Sequence, residues 1–173
     1  SMRDTTRREL STFAMKHSKP KILGSKRLAF ALHLRELGLN LLPLRDKVPQ
    51  RKWKRLQTTR NTMTELVEWF FSRSYEIGII TGELSGIVVV DCDAPEMAEK
   101  CSRSDVTQRT KRGLHLIYAH PGRTTKNRHK VGGLPIDVRG DGGYVCAYPD
   151  AAAWSLSGIL TAPDYVEPAC HSL

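Results

Sequence analysis

Cysteine is scarce in this chain, and its spacing offers no pair. The four cysteines, Cys92, Cys101, Cys146 and Cys170, include no C-x-x-C. That argues against a zinc knuckle and a disulfide framework, and suits a reducing, cytoplasmic setting. Long apolar runs are also missing. No stretch approaches the roughly 18 residues of a membrane-spanning helix, so no membrane is expected as a partner. The start is basic and polar, without the apolar core of a secretory leader, and Ser1-Met2 reads as a remnant of tag cleavage. Repeats and low-complexity tracts are absent.

Acidic residues are few where basic ones are many. Residues 1–60 hold 16 Lys/Arg against 4 Asp/Glu, a balance of +12, whereas residues 61–173 hold 11 against 14, or −3. Within the second part, residues 100–130 carry 9 basic residues and one acid, Asp105. Two basic stretches thus flank an acidic one, which favours a polyanionic partner such as nucleic acid. At 173 residues the chain fits one domain or two small lobes. Residues 1–24 form a basic segment with weak patterning, expected to be partly disordered around a short helix near Arg7–Lys16. The folded unit is expected over residues 25–173.

The acidic stretch is Gly86-Ile87-Val88-Val89-Val90-Asp91-Cys92-Asp93. A β-branched run bounded by glycine and polar residues reads as a buried strand. Residues i and i+2 of a strand share a face, so Asp91 and Asp93 project together at its end. Two carboxylates that close suit an oxygen-liganded Mg²⁺ or Mn²⁺. They also suit a plain strand end followed by a capping acid.

The other elements alternate helix and strand, a mixed α/β (α+β) pattern. Ser25 is expected to cap a helix through Leu37, which Gly38 stops. Leu39–Leu44 is extended and Arg45–Lys54 a basic loop. Thr62 and Glu65 fit a capping box ahead of Leu66, Trp69 and Phe70, spaced for a core face. Ile77–Ile80 and Ile87–Asp91 are strands around a turn, and Pro95–Cys101 is one or two helical turns. Val106–Thr110 and Leu114–Ala119 pair through Lys111-Arg112-Gly113. Leu134–Val138 and Gly143–Ala147 are expected to pair as well, because Asp141-Gly142 is a strong hairpin signal. Trp154, Leu156, Ile159 and Tyr165 are expected to pack back on the sheet. His115 sits opposite the apolar face of its strand, next to Lys111 and Arg112. Asp137 is a lone carboxylate in an apolar strand, costly to bury without a partner or cation. The glycines after it would let backbone approach a ligand. Three carboxylates, a histidine and a basic rim are the inventory of metal-assisted phosphoryl or nucleotidyl transfer.

The ordered series LGLNLLPL, KVPQRKW, IGIITGELSGIVVVDCD, GLHLIY and IDVRGDGGYVCAYP resembles the prim-pol domain of bifunctional primase-polymerases, of the archaeo-eukaryotic primase superfamily found in phage and plasmid replication. The resemblance runs from about Leu28 to Pro149. It implies a two-lobed catalytic domain with an RRM-like sheet. It implies a primase and DNA polymerase working by template-directed nucleotidyl transfer on single-stranded DNA, with nucleoside triphosphates as substrates. It marks Asp91, Asp93 and Asp137 as ligands of two Mg²⁺ or Mn²⁺ ions. His115 becomes the phosphate ligand, helped by Lys111, Arg112, Arg139 and Lys47, and the Thr81-Gly82 turn matches the pattern. It also implies a helicase as a following domain or partner, and a bacterial host cytoplasm if phage-encoded. Where relatives usually end this segment in two prolines and a serine, Tyr148-Pro149-Asp150 stands here. Two other readings of the residues are a D-x-D metal-dependent glycosyltransferase and a non-catalytic single-stranded nucleic-acid-binding module.

Overall fold

The computed structural model describes residues 24–149 and residue 156. Residues 24–36 are helical (α1), so Ser25 lies inside the helix rather than capping it. The helix stops as its sequence requires. Gly38 takes a φ of 93°, its N–H donates to the Arg35 carbonyl at 2.9 Å, and the Leu39 N–H donates to the Leu34 carbonyl at 3.2 Å. That bond pair is a Schellman ending.

Among the described residues eight strands follow: β1 (Asn40–Arg45), β2 (Val48–Pro49), β3 (Glu76–Ile80), β4 (Ile87–Cys92), β5 (Val106–Arg109), β6 (Leu114–Ala119), β7 (Ile136–Arg139) and β8 (Tyr144–Cys146). They form two antiparallel sheets, β2-β1-β3-β8 and β5-β6-β4-β7. With the helices, this makes the chain mixed α/β, as its patterning indicates. Between β2 and β3, the expected capping box forms. Glu65 N–H donates to Thr62 Oγ1, and Thr62 N–H donates to Glu65 Oε2. It opens α2 (Met63–Val67), which continues as a π-helical turn over Glu68–Ser72. Leu66, Trp69 and Phe70 are buried, as their spacing implies.

The basic loop after β1 contains a small hairpin. Asp46 and Lys47 hold φ values of 50° and 67° and turn the chain into β2. Two consecutive left-handed residues make the tight turn that matches strand twist. Beyond it, two buried asparagines anchor the connection to β1. Asn61 exchanges hydrogen bonds with the Leu41 backbone, and Asn40 Nδ2 donates to the Leu56 and Thr59 carbonyls.

Period-two alternation divides β4 cleanly. Ile87 and Val89 join the core shared with β1, β3 and α2, whereas Val88, Val90 and Cys92 pack with Leu116, Tyr118, Ile136 and Val138 on the far side. Each such side chain contributes about 1.5–3 kcal/mol on burial. Leu156 packs against the first core as expected. The helix expected near Arg7–Lys16, and Trp154, Ile159 and Tyr165, lie outside the described residues.

One pairing differs from expectation. β7 and β8 are not a hairpin: β7 pairs with β4 and β8 with β3. The Arg139–Gly143 turn therefore carries the chain from one sheet to the other, as Thr81–Gly86 does between β3 and β4. The two crossings are tied together. Thr81 N–H donates to the Gly143 carbonyl at 2.9 Å, and Thr81 Oγ1 donates to the Gly140 carbonyl at 2.6 Å. Glycine serves packing here rather than a ligand: a Cβ on Gly140 would stand 2.2 Å from the Thr125 carbonyl oxygen. Asp141 likewise belongs to the frame. Its Oδ1 lies 2.8 Å from His120 Nε2, and its Oδ2 accepts from Thr125 N–H. No helix among the described residues is long and apolar enough to cross a membrane.

Candidate functional site

Strand register sets a row of polar side chains across the second sheet. Gln108 on β5 opposes His115 on β6, His115 opposes Asp91 on β4, and Asp91 opposes Asp137 on β7. Partners in register put their side chains on one face, here the face toward the first sheet. Where the apolar residues of that face run out, a cleft of about 460 Å³ opens between the sheets. A cavity of that size suits a small ligand.

Seven of the eight residues singled out from sequence line this cleft: Lys47, Asp91, Asp93, Lys111, Arg112, His115 and Arg139. Asp91 and Asp93 share the strand-end face, as their spacing requires. Asp91 is three-quarters shielded and faces His115 Nε2 at 3.5 Å. Burial by itself would raise the Asp91 carboxyl. The hydrogen bond from His115, with the Arg139 and Lys47 charges nearby, outweighs it and holds the group below the usual carboxylate range. Asp91 is thus an ionised oxygen donor at neutral pH. Asp93 is half exposed, 4.0 Å from Arg112 Nη2. The two acids are pressed close to β6 by Gly113. A Cβ at that position would stand 1.8 Å from the Cys92 carbonyl oxygen, so no larger residue fits two places before His115.

Asp137 departs from the expectation. It is Asp91's neighbour in register but is not part of the cleft wall. Arg139 Nη2 donates to its Oδ2 at 3.1 Å, while Lys130 N–H and His129 Nδ1 meet its Oδ1 at 3.0 and 2.8 Å. Among the described residues, no group of three or more His, Cys, Asp or Glu is assembled to hold a metal ion. The carboxylates that line the cleft, among the described residues, are Asp91 and Asp93. The Thr81-Gly82 turn does not reach the cleft and binds the second crossing instead.

Sequence reading missed the far wall. Tyr144, Cys146 and Tyr148 come from β8 and the residues after it. The Tyr144 hydroxyl donates to the Lys47 carbonyl at 2.8 Å, and its ring meets Trp53 edge-on at 5.4 Å. Burial pushes the Cys146 thiol up, and pushes the Tyr148 hydroxyl up to about 12, so both stay protonated at neutral pH. Gln108 was missed as well, though a signal existed. It alternates with buried Val106, and the short Lys111-Arg112-Gly113 connection fixes its register against His115.

A pair of carboxylates, a shielded imidazole and four cationic side chains thus share one cleft. Such a set can hold a polyphosphate and act on it. Comparison with curated proteins gives no match. Comparison with family models matches residues 31–155 to the N-terminal domain of bifunctional DNA primase/polymerases, Prim-Pol. That span covers well over half of the chain and every cleft residue named above, and the chain belongs to the Prim-Pol family.

Proposed function

We propose that this chain catalyses template-directed nucleotidyl transfer on single-stranded DNA, as a primase and DNA polymerase of phage or plasmid replication in the bacterial cytoplasm. The observation that carries the reading is the juxtaposition of Asp91 and Asp93 with His115, Lys47, Lys111, Arg112 and Arg139 in one cleft. A site for nucleoside triphosphate needs both oxygen donors for a cation and several donors for phosphate.

The donor set fits Mg²⁺ or Mn²⁺. Such ions take one or two protein carboxylates and complete their shell with water and phosphate oxygens. Asp91 and Asp93 would hold them, with Asp137 as a third ligand once its present partners release it. When bound, the ions neutralise phosphate charge and lower the pKa of the attacking 3′-hydroxyl. His115, Lys111 and Arg112 hold the triphosphate, and Arg139 and Lys47 close over it from the opposite sides of the cleft. The 3′-oxygen forms a bond to the α-phosphorus as the bond to pyrophosphate breaks, and the hydroxyl proton passes to water. The basic surfaces hold the template strand. A helicase is the partner that would supply it.

The test is incubation with single-stranded DNA, labelled nucleotides and Mn²⁺. Oligomeric products that vanish with Asp91→Ala or Asp93→Ala support the reading. DNA binding with no product would leave a non-catalytic binding module. Consumption of a sugar nucleotide instead would give the Asp-x-Asp corner to a glycosyltransferase.

A further inference from the structure

Gln108 is wholly buried, at 0% exposure, and joins the two sheets. Three contacts of its amide bear on the cleft. Nε2 lies 2.9 Å from the Cys146 carbonyl oxygen and 2.9 Å from His115 Nδ1, and Oε1 accepts from Tyr148 N–H at 2.8 Å. The two backbone partners settle which way the amide points. A carbonyl can only accept and a peptide N–H can only donate. Turning the amide over would set oxygen against oxygen and N–H against N–H. The amide therefore presents an N–H to His115 Nδ1. That nitrogen must accept, so the neutral ring carries its proton on Nε2. Nε2 is the atom that faces Asp91 Oδ1 at 3.5 Å, on the cleft side.

We infer that Gln108 is the positioning residue of this cleft, holding His115 in the Nε2-protonated tautomer and in the orientation that makes it a donor to bound phosphate. The two contacts from β8 and the residues just after it hold Gln108 itself, so the far wall of the cleft governs the histidine through one buried amide. The identity of the anion as a nucleotide's triphosphate rests on the nucleotidyl-transfer reading. The tautomer does not.

The experiment uses the whole chain and two readouts independent of catalysis. Long-range ¹⁵N–¹H correlation of the imidazole rings reports which His115 nitrogen bears the proton and whether the other accepts a hydrogen bond. Calorimetry with inorganic tripolyphosphate reports anion affinity. The wild type should carry the proton on Nε2, with the Nδ1 resonance shifted by its hydrogen bond. Gln108→Leu should abolish that shift and weaken tripolyphosphate binding roughly tenfold, close to the effect of His115→Ala. Gln108→Glu should draw a proton onto Nδ1. Val106→Ala, on the same strand, controls for destabilisation and should change neither readout. A wild-type ring protonated on Nδ1 overturns the inference even if no variant folds, and so does tripolyphosphate affinity unchanged by Gln108→Leu. A protein that passes these tests yet makes no polymer would lose the nucleotidyl-transfer reading and keep the role of Gln108.

Discussion

Asp137 stands directly opposite Asp91 in the β4–β7 ladder, yet both of its carboxylate oxygens are already engaged. Its Oδ1 is shared by the Lys130 backbone and the His129 ring, and its Oδ2 by Arg139. The sheet brings the third acid into register, and the loop after β6, together with Arg139 of β7, occupies it.

That occupancy is open to measurement. The His129 side chain is 73% exposed, so its contact with Asp137 is weakly held. His129→Ala should free one lone-pair direction on Oδ1 and tighten Mn²⁺ binding a few-fold by calorimetry. Asp137→Asn should weaken it. Equal Mn²⁺ affinity in wild type and both variants would remove Asp137 from the metal site.

Asp91→Asn keeps the shape of the side chain and removes its charge. Primer extension should fall on the order of a thousandfold or more, a loss of several kcal/mol of transition-state stabilisation. The thermal midpoint should move by only a few degrees. Near-normal extension by this variant would refute the cation corner.

Gly113→Ala asks whether the small residue before the histidine is there for space. The added methyl would meet the Cys92 carbonyl oxygen at 1.8 Å, forcing β6 away from the end of β4. Urea unfolding should show a loss of about 3 kcal/mol or more with an unchanged slope. A wild-type midpoint would mean that the strands separate there without cost.

Lys52 and Lys54 are exposed on either side of Trp53. If they meet template phosphates, each releases counterion with a slope of about −0.7 in log affinity against log salt. The Lys52→Ala, Lys54→Ala double variant should flatten the salt dependence of single-stranded DNA binding by about 1.4. A slope equal to that of wild type would place the template elsewhere.

Tyr148 and Cys146 both titrate above their ordinary values of 10.0 and 9.0, with Tyr148 near 12. Between the unfolded and folded values the folded chain holds more protons, so stability falls as pH rises through that window. The contribution is complete below the unfolded values and lost above the folded ones. Urea midpoints for wild type and Tyr148→Phe, compared at about pH 8 and about pH 11, should show the smaller alkaline loss in the variant. Identical losses would remove Tyr148 as a source.

What the sequence determined by itself is local. The shared face of Asp91 and Asp93 follows from a two-residue period, and the stop at Gly38 from a backbone conformation that glycine adopts at little cost. The Thr62–Glu65 box and the β5–β6 hairpin likewise depend on groups a few residues apart. Tertiary structure decided the rest. Asp141-Gly142 has the composition of a hairpin turn, but β7 fills the open edge of β4 and β8 that of β3, so the turn became a crossing between sheets. Gln108 gained its place because Cys146 and Tyr148 arrive from nearly 40 residues further along the chain. Asp137 reads as a free ligand until Arg139 and the His129–Lys130 segment are seen to hold it. Periodicity assigns each side chain a face, but which strand lies beside it is settled by packing that sums over the whole core. The partners of a polar side chain on that face are therefore decided far from it in sequence.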